Sequence, residues 1–292
     1  MKNVAVIYNA AAGKSAPGKP ELESLLESIG LRAYFVDIGG DVRKQLAKGG
    51  EATLTAIVAA GGDGTVHTAA NEAVRLSLPL AVLPVGTLNH FAKDLHIPLE
   101  LADAARYIAS ARPSKIDYAT LNGEIFVNNS SIGVYPGSLG WRERLSRYVG
   151  KWPAAFIGLC TAWVHAPRPR LVISVGAEQI RTKTPYVFIG NNAYSLKSPV
   201  TVARETLTGH TLFYQIFNAD SIRSFISRKL SPRVDQPVFI SDQTTQTIII
   251  GSSRKSLKVS VDGEVRTMST PLTYELRPDG LKVLVAPNAQ LA

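Results

Sequence analysis

Short apolar runs alternate with amphipathic stretches through the first third of the chain: Val4 to Tyr8 then Pro20 to Ile29, Ala33 to Val36 then Val42 to Ala47, Leu54 to Ala59 then Thr65 to Leu76, and finally Leu80 to Leu83. Parallel strands need crossover connections, and helical crossovers cover the sheet, so this alternation predicts a parallel sheet with helices on both faces. Pro20 and Glu21 suit the first turn of the first helix and Gly30 its end. A further helix, Leu99 to Ser110, closes the region before Pro113. After about Ile116 the texture changes to strand formers around the turn dipeptides Asn122-Gly123, Asp262-Gly263 and Asp279-Gly280, as in Lys258-Val259-Ser260-Val261 and Leu281-Lys282-Val283-Leu284-Val285. Such dipeptides between alternating runs predict antiparallel hairpins. Helical patterns within Ser138 to Tyr148 and Ser221 to Leu230, and an apolar stretch from Ala154 to Ala166, interrupt this β-rich part. The expectation is an α/β fold in two domains, residues 1–115 with a parallel sheet and residues 116–292 antiparallel, divided by a change of pattern and not by a low-complexity tether.

A length of 292 residues accommodates two domains, and 45% apolar with 19% charged residues excludes a disordered chain or a coiled coil. The net charge of +9 is one-sided: 12 Lys+Arg against 11 Asp+Glu up to residue 115, and 20 against 12 beyond it, so the later part carries +8. That field suits anionic membrane, nucleic acid or a phosphorylated ligand, without choosing among them. The single cysteine, Cys160, stands among Ile157, Leu159 and Trp163 as a core thiol would, and excludes an internal disulfide framework. The apolar run Val4-Ala5-Val6-Ile7 meets Asn9 too soon for a signal peptide or a membrane span, which makes a cytoplasmic protein the expectation.

Gly61-Gly62-Asp63-Gly64-Thr65 lies between an expected strand and the helix after it. Glycines let backbone amides approach phosphate oxygens, and amides at a helix N-terminus present partial positive charge to them. Taken alone, the loop also allows a plain turn with Asp63 capping the helix, the lesser of the two readings. Two further loops follow strands of the same sheet: Asn9-Ala10-Ala11-Ala12-Gly13, and Pro84-Val85-Gly86-Thr87-Leu88-Asn89. Parallel strands bring all three loops to one edge, where a nucleotide would lie across the strand ends. Gly13-Lys14-Ser15 imitates the end of a Walker A loop, but Tyr8 stands where its first glycine belongs; Gly62-x-Gly64 fails as a dinucleotide fingerprint because His67 occupies the third glycine position.

These loops, with Pro84-x-Gly86-Thr87-x-Asn89-x-Phe91-Ala92, Asn128-x-Ser130-x-Ile132-Gly133 and Asp262-Gly263-Glu264 in that order, resemble the diacylglycerol kinase catalytic-domain family, which includes sphingosine kinases and bacterial lipid kinases. The resemblance implies an N-terminal domain holding ATP, a C-terminal β-sandwich holding a lipid substrate, and catalysis in the cleft between them. It marks Asn9, Ala10, Ala11, Ala12, Gly13, Gly61, Gly62, Asp63, Gly64, Thr65, Val66, His67, Thr68, Gly86, Thr87 and Asn89 as nucleotide-side residues, places Asp37 near the adenosine, and makes Glu264 or Asp262 the general base. Phosphoryl transfer needs alignment and charge neutralisation, so Mg²⁺ on the ATP phosphates is implied as well. From spacing alone Asp262-Gly263 remains a hairpin turn, and a tight hairpin also fixes a carboxylate well. Two departures stand out. His67 and Thr68 occupy places where the family often has Asn-Glu, a pair found here one helical turn later as Asn71-Glu72. Thr208-Gly209-His210 has threonine where related bacterial enzymes have an aspartate that helps hold a structural magnesium.

The five histidines, His67, His90, His96, His165 and His210, show no zinc spacing. Between Trp141 and Arg170, Arg142, Arg144, Arg147, Lys151, Arg168 and Arg170 interleave with Trp152, Phe156 and Trp163, a pattern that suits either peripheral contact with anionic membrane or a core helix with solvated flanks. No nucleic-acid-binding signature accompanies the basic charge, so nucleic acid is not an expected partner. The expected activity is transfer of the γ-phosphoryl group of ATP to a hydroxyl of a diacylglycerol-like or sphingoid-like lipid, at the inner face of the membrane where the protein is peripheral. Alternatives are an NAD kinase, which shares the first glycine loop, and a non-catalytic nucleotide- or lipid-binding module. Oligomeric state is not legible.

Overall fold

The computed structural model describes residues 2–9, 17–133, 168–198, 201–217, 239–287, 289 and 291. The chain divides into two compact units, one of Met1–Tyr118, Ser195–Gly209 and Arg277–Ala292, the other of Ala119–Tyr194 and His210–Leu276. Cys160, His165 and the patterned stretches within 134–167 and 218–238 lie outside the described residues, as do Ala10 to Gly13.

The first unit opens with β1 (Lys2–Tyr8), α1 (Lys19–Ser28), β2 (Leu31–Asp37), α2 (Val42–Lys48), a single 3-10 turn at Glu51–Thr53, β3 (Ala56–Gly61), α3 (Asp63–Leu76), β4 (Leu80–Pro84), α4 (His90–Asp94) and α5 (Leu101–Ser110). The strands run parallel in the order β2-β1-β3-β4. Val4 to Ile7 and all of β3 and β4 are buried, because helices cover both faces. Pro20 stands in the first turn of α1. Asp41 caps α2 by accepting from the Lys44 N–H at 3.1 Å, and that bond holds its carboxyl below the usual range.

Glu72 is the buried acid of α3. It accepts from Arg43 at 3.1 Å and from Arg75 at 2.6 Å, and Arg75 also reaches Glu51 at 2.6 Å. The Glu51 hydrogen bond is the main cause of the raised Arg75 pKa. A carboxylate out of water needs such partners, and here they tie α3 to α2 and to the turn before β3. The two later segments join this unit by similar means. Arg204, its side chain 3% exposed, pairs with Asp94 of α4 at 2.8 Å. Asp117 donates its N–H to the Leu207 carbonyl at 2.9 Å and accepts the Asp279 N–H at 2.9 Å.

The remaining strands are β5 (Arg112–Leu121), β6 (Glu124–Phe126), β7 (Asn129–Gly133), β8 (Arg170–Val175), β9 (Glu178–Lys183), β10 (Tyr186–Asn191), β11 (Tyr194–Ser198), β12 (Thr201–Arg204), β13 (Leu212–Phe217), β14 (Phe239–Thr244), β15 (Ile248–Ser252), β16 (Ser256–Val261), β17 (Glu264–Ser269) and β18 (Leu272–Val285). In the second unit an antiparallel sheet β14-β13-β10-β7-β16-β17 faces strands ordered β18-β15-β8-β9, with β5 and β6 beside β18. Ile132, Ile189, Ile216 and Val259 from the first sheet pack with Phe126, Ile173, Ile250 and Tyr274 from the other, one shared core of the expected β-sandwich. Tyr274 is fully buried; burial pushes its hydroxyl pKa up, and Ser130 Oγ stands 3.2 Å away. β18 belongs to both units, its residues after Leu276 running on to pair Val283 with Leu80 of β4.

Two expected hairpins form, β5–β6 around Asn122-Gly123 and β16–β17 around Asp262-Gly263. The third does not: Asp279-Gly280 lies inside β18. A two-residue type I′ turn needs positive φ at both positions; Asn122 and Gly123 have 49° and 85°, Asp262 and Gly263 have 47° and 91°, whereas at the third site only Asp279 is positive, at 53°.

Replacing Glu72 by Ala should lower unfolding free energy by about 1–3 kcal/mol, less than for a fully buried pair because Arg43 is solvated and Arg75 keeps Glu51. Urea titration measures it, and an unchanged midpoint would mean the cluster does not hold α3.

Candidate phosphate-binding edge and the Asp262–Glu264 hairpin

Strand register assembles the edge. Tyr8 pairs with Asp37 and with Ala60, and Gly61 pairs with Pro84, so Asn9, Ile38, Gly62 and Val85 leave adjacent strand ends on the same side of the sheet. Asn9 is exposed there. Asp37 is fixed through its backbone: its N–H donates to Gln45 Oε1 at 3.0 Å and its carbonyl accepts from Gln45 Nε2 at 2.9 Å, while its Oδ1 accepts the Gly39 N–H at 3.1 Å.

Gly62 is the N-cap of α3, with no side chain over the helix end. Its Cα faces Gly86, and a methyl added to Gly86 would fall on Gly62 Cα and lie 2.9 Å from Gly62 N and 2.8 Å from Asn89 Oδ1. A methyl on Gly61 would fall on the Thr65 side chain. These glycines are required for close approach, since no φ among them is unusual. The Val85 N–H donates to the Gly61 carbonyl at 3.3 Å, joining the two loops.

Asn89 closes the second loop on itself. At φ 48°, a conformation asparagine tolerates, its Oδ1 accepts the Gly86 N–H at 3.1 Å and its Nδ2 donates to the Gly86 carbonyl at 2.8 Å. Asp63 accepts the Phe91 N–H at 3.3 Å, which fixes α4 against the start of α3. Thr87 and Leu88 remain exposed between them. The structure therefore brings Gly61 to Thr65, Gly86 and Asn89 together at one helix end. Val66 is buried under α3; Thr68 Oγ1 donates back to the Gly64 carbonyl at 3.2 Å. His67 is buried, its Nε2 3.4 Å from Asn71 Nδ2, which also donates to the His67 carbonyl at 2.8 Å. Asn71 and Glu72 thus serve the helix and its ion cluster. Nearby, burial pushes the Asp94 carboxyl up, against the opposing pull of Arg204.

In the second unit Asp262 is buried, and both its oxygens accept backbone N–H groups: Oδ2 from Val127 at 2.9 Å, Oδ1 from Asn128 at 2.8 Å and Asn129 at 3.1 Å. Glu264 begins β17 and is exposed. Arg266 donates to Glu264 Oε2 at 2.9 Å and pairs with Glu124 of β6. Burial works against the guanidinium charge, but the Glu264 and Glu124 bonds outweigh it and raise its pKa. Sequence reasoning missed Arg266 and Glu124; the one signal for Arg266 was its position two residues after Glu264, which puts both side chains on one strand face.

At the site of the Thr208 substitution, the Thr208 Oγ1 is taken up by the Leu291 carbonyl at 3.4 Å. Among the described residues no helix is long and apolar enough to cross a membrane.

Residues 3–121 match the family model described as diacylglycerol kinase catalytic domain. Curated proteins named diacylglycerol kinase from Staphylococcus saprophyticus and Staphylococcus aureus are 30% and 31% identical over 138 residues, 45% of this chain and 45% and 44% of theirs. The chain thus matches them over rather less than half of their length. Two solved structures of Bacillus anthracis proteins described as diacylglycerol kinases align with TM-scores of 0.72 and 0.69 at 22% and 20% identity, over 98% and 99% of this chain and 98% of each of theirs. At that identity the likeness is one of fold, the same two-domain architecture.

Gly86→Ala would drive a methyl onto the Gly62 Cα and force the two loop backbones apart, so the unfolding midpoint should fall. An unchanged midpoint in a thermal melt would show that the contact of Gly62 with Gly86 does not shape this edge.

Proposed function

We propose that this chain, which carries a diacylglycerol kinase catalytic domain match over residues 3–121, is an ATP-dependent kinase moving the γ-phosphoryl group to a hydroxyl of a diacylglycerol-like or sphingoid-like lipid. The observation that carries the reading is the close approach of Gly62 and Gly86 at the ends of parallel strands, where the N-cap of α3 is a glycine and no side chain caps the helix.

In this reading, amides of the Gly62 to Thr65 turn receive phosphate oxygens, and the helix end adds favourable potential. Asn89 and Asp63 keep the two loops in place, so the amides are preorganised before ATP arrives. Asp63 stands at the loop as the acidic group able to help hold a divalent ion, which would neutralise charge on the phosphates. In the transfer, the lipid hydroxyl oxygen bonds to the γ-phosphorus, the bond from that phosphorus to the β–γ bridging oxygen breaks, and ADP leaves. The hydroxyl proton goes to Glu264. Glu264 is assigned this role over Asp262 because the Asp262 oxygens are occupied by three N–H donors, which suits a carboxylate that fixes the hairpin. Arg266, tied to Glu124, holds the Glu264 carboxylate in one orientation.

Glu264→Gln should lower turnover by two orders of magnitude or more while ATP affinity stays within about twofold. Asp262→Asn should instead lower the unfolding midpoint, because an amide replaces an acceptor of three N–H bonds. ADP release measured with diacylglycerol, a sphingoid base and NAD, with and without Mg²⁺, tests the reaction. Release with NAD alone, or an unaffected Glu264→Gln variant, would overturn the assignment.

A further inference from the structure

The outer face of the strands β15, β8 and β9 has no role in the phosphoryl-transfer reading. Leu171 and Ile173 of β8 point into the core, which turns Arg170, Val172 and Ser174 outward. Cross-strand partners share a face, so the pairs Arg170 with Lys183, Val172 with Arg181, Ser174 with Gln179 and Ile249, and Val172 with Gly251 define one surface. Val172 and Ile249 are 38% and 41% exposed on it, beside Arg170, Arg181 and Lys183, which are also exposed. Among the described residues, these outward positions carry three cations and no acid, and none of the three cations is in an ion pair. The turn after β15 adds exposed Arg254 and Lys255 next to the start of β8.

We infer that this sheet face is a docking surface for an anionic bilayer. Charge complementarity selects the occupant: unpaired cations meet anionic headgroups, and the apolar pair at their centre reaches the boundary below them. Edge protection of β9 would also account for Arg181 and Lys183, but it requires only charge, of either sign, whereas lipid attraction requires positive charge. Charge reversal separates the two.

The test uses the full chain with sedimenting vesicles of phosphatidylcholine, or of phosphatidylcholine mixed with phosphatidylglycerol. The wild-type chain should favour the mixed vesicles and lose that preference as salt rises. The combined variant Arg170→Glu, Arg181→Glu, Lys183→Glu should bind them on the order of a hundredfold more weakly, from about fivefold per cation near the surface. Val172→Ser with Ile249→Ser should weaken binding to both vesicles. If the charge-reversed variant does not fold, the salt titration of the wild type and the Val172/Ile249 variant decide. Equal wild-type binding to both vesicles, or unchanged binding in the variants, would overturn the inference. Because the readout is binding alone, its failure leaves the kinase assignment untouched, and a failed kinase assay leaves this untouched.

Discussion

Two stretches of backbone approach each other where no side chain fits, at Gly62 and Gly86, and the first unit is organised around making that approach possible. The contact exists because β3 and β4 are parallel and in register up to Gly61 and Pro84, so both loops leave the sheet side by side. The helix that leaves the first loop, α3, is tied by the Glu72 cluster to α2 and to the turn ahead of β3. Asn89 and Asp63 then use side chains to satisfy backbone donors within the loops, so the loops hold their shape without a ligand. Glycines at the contact and polar side chains behind it both serve the close approach of the two loops.

The second unit solves a similar problem with a carboxylate. Asp262 is the first residue of a tight turn and lies at φ 47°, and its oxygens gather the N–H groups of Val127, Asn128 and Asn129 ahead of β7. The turn, already joined to β7 through Val261 and the Asp262 N–H, is thereby fastened further to the neighbouring chain segment. Glu264, two residues on, inherits that rigidity while remaining exposed. The competing readings of Asp262-Gly263-Glu264, turn or acid site, are therefore compatible: one carboxylate builds the turn, and the other is available for chemistry.

The alternation of apolar runs made the parallel sheet legible, because a strand buried on both faces must be continuously apolar, as Ala56 to Gly61 is. The glycine loops were legible because their positions after strands follow from that alternation. The continuation of β18 through Asp279-Gly280 was not, since the dipeptide looks the same whether one or both residues take positive φ, and only pairing partners far along the chain decide. The attachment of 195–209 and 277–292 to the first unit also left no local trace; it rests on Arg204 meeting Asp94 and on Asp117 meeting Asp279, contacts set by tertiary structure. The same holds for Glu124 with Arg266, whose partnership crosses from β6 to β17.

Asp63 raises a last electrostatic question, because a negative side chain in the first turn of α3 opposes an incoming phosphate. Its presence is favourable for the helix itself, where a carboxylate complements the positive end of the dipole. By accepting the Phe91 N–H it also draws α4 and the second loop toward the first. The cost falls on ligand binding, and it is offset if the phosphates arrive with a divalent cation, which converts the carboxylate from a repelling group into a partner. Under the proposed function, an edge built in this way would favour a metal-bearing anion over a bare one.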